Sequence, residues 1–75
     1  MVTPEQLKTW IEAGFDGADV RVEGDGHHFE AVIVAEEFKG KSRIKRHQLV
    51  YAALGDKMKA EVHALSMKTQ SPDEI

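Results

Sequence analysis

The chain of 75 residues contains no cysteine, two prolines, one tryptophan and one tyrosine. Without cysteine no disulfide can staple the fold, and no thiolate zinc site can be built from this chain alone. A cysteine-free chain also suits a reducing compartment. No apolar run approaches the ~20 residues of a bilayer-spanning helix. The first residues lack the basic start and apolar stretch of a secretory signal. A soluble cytoplasmic protein with no membrane association is expected. Catalytic signatures are missing as well: there is no nucleophile elbow, phosphate-binding glycine loop or zinc-protease motif. Turn chemistry and strand exposure account for Asp25 and Glu30. Ser66 and His63 stand three apart on one strand, so they face opposite sides. The expectation is that the protein is not an enzyme.

Hydrophobic residues make up 41% of the chain, too many for a disordered segment. Residues 1–75 are expected to form a single small domain with an economical core, because a chain this short buries only about 60% of its unfolded surface. The net charge of −3 is unevenly spread. Residues 1–35 carry −5, residues 36–50 carry +3 and residues 51–75 carry −1. Five cations fall within the eight residues from Lys39 to Arg46. Such a chain can present a basic stripe to a partner, although its overall sign opposes strong non-specific DNA affinity.

Thr3, Pro4 and Gln6 form a capping box with proline at the first helical position. Leu7, Trp10, Ile11 and Gly14 follow at helical spacing, and Gly14 is expected to end the helix in the left-handed conformation. Phe15 is placed to fold back as an apolar clasp. The stretch from Ala18 to Glu23 alternates as a half-buried strand, and Gly24-Asp25-Gly26 is a turn. A second, more buried strand is expected from His28 to Ala35. The connection from Glu36 to Ser42 should insert Phe38 into the core. A helix is expected from about Arg43, with Ile44, His47, Val50, Tyr51 and Leu54 on its inner stripe and Lys45, Arg46 and Gln48 elsewhere. His47 is expected to be half-buried with its ring nitrogens hydrogen-bonded. Gly55 should break this helix, and Asp56 to Lys59 should add a short second one. A third strand is expected from Val62 to Lys68, with the orientation of His63 left open by its mixed faces. Ser71 to Glu74 is another capping box, good for one turn. The order α-β-β-α-α-β implies an α+β domain of two layers, a three-stranded sheet with helices on one face.

The chain resembles the BolA family, most closely its short bacterial IbaG-type members. The resemblance rests on Gly24-Asp25-Gly26-His27-His28-Phe29, Val32-Ile33-Val34, Phe38-Lys39-Gly40-Lys41-Ser42, Arg46-His47-Gln48-Leu49-Val50-Tyr51, Val62-His63-Ala64-Leu65 and Lys68 to Glu74. It spans nearly the whole chain, and the motifs are specific in combination. The family's fold is a class II KH-like domain, in agreement with the order above. The resemblance implies a partner of monothiol glutaredoxins that binds a 2Fe-2S cluster at a shared interface, in iron sensing or cluster delivery. It implies His63 as one metal ligand, with His28 or its rival His27 as the other. Cysteine being absent, thiolates would come from the glutaredoxin and glutathione. Apart from the resemblance, these histidines read as polar residues of an exposed turn and a mixed strand.

Family members that bind DNA and regulate transcription in stress and cell shape supply the alternative function. Here Lys39, Lys41, Arg43, Lys45 and Arg46 would contact phosphates. The nucleic-acid clamp of KH folds needs a Gly-x-x-Gly loop, and this chain has Gly40 without the second glycine. Alone, the protein is expected to be a monomer or weak homodimer. Many relatives end the last motif with an aromatic residue, usually tryptophan, where this chain has Ile75.

Overall fold

The computed structural model describes residues 2–59 and 64–75. Helix α1 spans Pro4–Ala13 and strands β1 and β2 span Asp19–Gly24 and Phe29–Val34. Helix α2 covers Arg43–Leu54, and strand β3 covers Leu65–Gln70. One-turn 3-10 segments lie at Glu36–Phe38 and Pro72–Glu74. β2 is the central strand. It pairs antiparallel with β1, as a short loop permits, and parallel with β3, which requires the crossover that α2 supplies.

Local signals set the first helix. The Thr3 hydroxyl accepts from the Gln6 amide at 3.1 Å, and the Gln6 side chain accepts from the Thr3 amide at 3.0 Å. Leu7 and Ile11 are fully buried one turn apart. Phe15 is buried and meets Phe38 edge-on, with ring centroids 5.2 Å apart. Gly14 is not left-handed, as its φ is −92°. It is needed for proximity: a Cβ there would stand 2.3 Å from the Ala53 Cβ of α2. Helix α1 can therefore pack against α2 only with glycine at this point.

On the sheet, Val20, Phe29, Ala31, Ile33 and Leu65 are buried toward the helices. The opposite face, with Arg21, Glu23, Glu30, Ser66 and Lys68, is exposed. This one-sided burial is the two-layer α+β arrangement expected. The expected second strand loses one residue at each end. β3 begins at Leu65 and runs to Gln70, whereas Val62 and His63 of the expected strand lie outside the described residues.

Two expectations for α2 and its sequel need correction. Ile44 is 71% exposed and Tyr51 39% exposed, so neither belongs to the inner stripe. That stripe is Val50 and Leu54, flanked by Leu49, Ala53 and the inward-turned Arg46. The helix is rotated because the Arg46 guanidinium finds the Lys41 and Thr69 carbonyls and the Glu74 carboxylate on that side, and because Ala53 is the residue small enough to meet Gly14. After Gly55, whose φ of +57° ends α2, the chain makes turns through Lys59 rather than a second helix. Amides of Lys57 and Lys59 bond three residues back, and Met58 is drawn into the core. No described helix is long and apolar enough to cross a membrane.

Candidate sites at the two ends of the sheet

The β1–β2 loop consists of Asp25, Gly26, His27 and His28, closed by the Gly24–Phe29 pair. Asp25 organises it. One carboxylate oxygen accepts from the His27 amide at 2.8 Å and from the His28 amide at 2.9 Å. The Asp25 amide donates to the His28 carbonyl at 3.2 Å. The His28 and His27 amides together hold the Asp25 carboxyl below its ordinary range. Gly24 leaves room for this turn: a Cβ there would lie 2.4 Å from the His28 carbonyl oxygen. Both imidazoles are exposed. His28 borders a shallow groove with Glu23, Asp25 and Glu30. Glu23 and Glu30 face each other across the strands, a like-charge pair that adds to the acidity of this end.

The parallel register sets Phe29 opposite Leu65. The β1–β2 loop and Ala64, which opens the second described segment, thus lie at the same end of the sheet. His63 itself is outside the described residues. Among the described residues, no three His, Asp or Glu side chains are grouped as a protein-only metal site would need.

The basic segment lies at the other end. Six-residue strands span ~17–20 Å, and the start of α2 sits where β3 finishes. Ser42 caps α2, its hydroxyl accepting from the Lys45 amide at 3.2 Å. Lys39, Lys41, Arg43 and Lys45 are exposed, and none forms an ion pair among the described residues. Four free cations at a helix start can attract an anionic surface, whether phosphate or carboxylate.

Arg46 is different in kind. Its side chain is 11% exposed. Nε donates to the Lys41 carbonyl at 2.9 Å and Nη1 to the Thr69 carbonyl at 3.2 Å. Nη1 and Nη2 make a bidentate pair with Glu74 at 2.7 and 2.9 Å. The guanidinium also lies 5.9 Å from the centre of the Phe38 ring. Glu74 accepts the Ser71 amide at 2.8 Å, and the Ser71 hydroxyl donates to Asp73. Arg46 pulls the Glu74 carboxyl down to about 2, with help from the Ser71 amide. The expected basic stripe therefore keeps four exposed charges, and the fifth is a structural tie. Sequence spacing could not reveal this tie, whose partner is 28 residues away.

His47 is half-buried as expected, but its Nε2 is buried without a hydrogen-bond partner. On α2 it lies one turn from each of the exposed Ile44 and Tyr51.

A family model described as BolA-like protein matches residues 8–74. A bolA protein homologue from Coxiella burnetii has a similar structure, with 52% identity, 99% of this chain and 96% of that chain covered, and a TM-score of 0.86. The acid stress protein IbaG of Escherichia coli is 42% identical over 57 residues, which are 75% of this chain and 68% of that protein. A stretch of the SufE-like protein 1 of Arabidopsis thaliana is 46% identical over 48 residues. That stretch covers 64% of this chain but only 13% of the larger protein.

Proposed function

The chain belongs to the BolA-like family, and from that premise we propose that it is a non-catalytic adaptor that pairs with a monothiol glutaredoxin and shares a 2Fe-2S cluster with it, in iron–sulfur trafficking or iron sensing. One observation carries the proposal. The parallel pairing of Phe29 with Leu65 makes the His28 loop and Ala64, the residue after His63, neighbours at one sheet end. Two imidazoles, of His28 and His63, would suit one iron of a cluster, and imidazole ligation raises its potential relative to thiolates. The chain has no sulfur ligand of the thiolate type. The second iron would then take thiolates from a partner, in the family's pattern the glutaredoxin cysteine and glutathione.

His28 is the better loop ligand. It is adjacent to Phe29, it borders the open groove, and its amide and carbonyl are both fixed by Asp25. Its exposure leaves the ring accessible to a docked partner. The cluster would supply electron-transfer and iron-delivery chemistry, while this chain binds and orients. The occurrence of a similar domain inside the much longer SufE-like protein 1 supports a module that works beside another domain.

The test is a titration of the protein into a cluster-loaded monothiol glutaredoxin, followed by visible absorption and circular dichroism. New bands should grow to an end point and should be lost in His63→Ala. An unchanged spectrum on mixing would refute cluster sharing.

A further inference from the structure

Helix α2 carries an outward stripe that neither the core nor the cluster reading uses. Ile44 and Tyr51 stand seven residues apart, within about 20° of each other around the helix. His47 lies three residues from one and four from the other, on the same face. Ile44 is 71% exposed and Tyr51 39%. His47 between them is half-buried, with its Nε2 turned inside. At its far end the stripe opens into a groove of ≈ 220 Å³ with Tyr51 as a wall, buried Leu54 and Met58 as the floor, and Lys59 on the rim. Small-molecule sites run about 300–1,000 Å³, so this groove suits an apolar side chain of a protein. Single exposed apolar residues are commonplace. Two on one ridge, continuous with a groove, form a surface.

The charge around the stripe identifies what covers it. Helix α2 contains no acidic residue. Arg43 stands beside Ile44, and Lys57 and Lys59 stand near the groove, all exposed and outside every ion pair of the described residues. Among the described residues, Asp56 is the one acid lining the groove. We infer that this face of α2 is a docking surface for an amphipathic helix of a partner protein, one that lays an apolar ridge on Ile44 and Tyr51, places an apolar side chain over Leu54 and Met58, and carries acidic flanks. Packing of ridge against ridge fits two helices. Phosphate recognition would use the lysines and leave the apolar ridge without a role. The inference uses other residues than the cluster reading, although the groove, at the C-terminal end of α2, lies toward the same sheet end.

The probe is a synthetic helix-forming peptide of ~15 residues, long enough to hold a helix, with leucines on one face and glutamates beside them. Amide and histidine-ring NMR shifts of the whole protein are followed on titration. Shifts should centre on Ile44, His47, Tyr51 and Met58. Ile44→Asp and Tyr51→Asp change exposed residues and should keep the far-UV spectrum while weakening binding about tenfold or more. A scrambled peptide of the same composition should bind at least as weakly. Equal binding by the scrambled peptide, no shifts at millimolar peptide, or shifts centred away from the stripe would each overturn the inference. So would tighter binding of a DNA duplex to the same residues.

Discussion

The two ends of the sheet are held in opposite ways. At the histidine end, order is local: Asp25 reaches amides two and three residues on, and the loop closes on itself. At the basic end, Arg46 ties together the Lys41 loop, the end of β3 and the C-terminal turn, over a core aromatic ring. A loop closed by its own neighbours can adjust without disturbing the core, whereas a tie across three segments opens only when the fold does. The histidine end is thus suited to accommodate a partner's metal site. The basic end is suited to act as a fixed platform.

The contrast can be broken most severely at its apolar support. Phe38 is fully buried, and Phe38→Ala should cost about 3–5 kcal/mol. Chemical denaturation measures it. NMR of a stabilised background should show Arg46 and the Lys39–Lys45 segment perturbed, and the Asp25 loop amides nearly unmoved. Gly24→Ala should come next, at about 1–3 kcal/mol, the range of overpacking. It would push the His28 carbonyl and should weaken partner binding without touching Arg46.

Glu74→Gln should lower the melting temperature at neutral pH by removing the charged half of the bidentate pair. It also sharpens the comparison through pH. The folded Glu74 carboxyl lies at about 2 against an ordinary 4.5. Its stabilising effect is complete above 4.5 and is lost as pH falls toward 2. Wild type should therefore lose stability over that interval more steeply than Glu74→Gln, as thermal melts at several pH values will show. The smallest effect is expected for Asp25→Asn, which keeps the oxygen that accepts both loop amides. Asp25→Ala should instead shift the His27 and His28 amide resonances and loosen the loop, with little change in global stability.

Much of the architecture was readable because its causes are local. The Thr3–Gln6 capping box, the Gly24–Gly26 turn, the insertion of Phe38 and the one-turn Ser71–Glu74 segment each depend on residues within a few positions. The inner face of α2 was misread because helical periodicity counts arginine as polar. Arg46 turns inward once Glu74, the Thr69 carbonyl and Phe38 surround it, and that carries Ile44 and Tyr51 outward. Gly14 was misread for a related reason: its constraint is Ala53, far along the chain. The proposed histidine pairing comes from the resemblance alone. Spacing does not tell which strand ends meet, and the Phe29–Leu65 register sets the starts of β2 and β3 side by side.

The central claim is that the loop at the histidine end, through His28, takes part in holding a shared cluster, and it is tested most directly by comparing His27→Ala with His28→Ala in the titration against cluster-loaded glutaredoxin. The account predicts that His28→Ala loses the new visible dichroism while His27→Ala retains it. Retention of the full signal in both variants would contradict it.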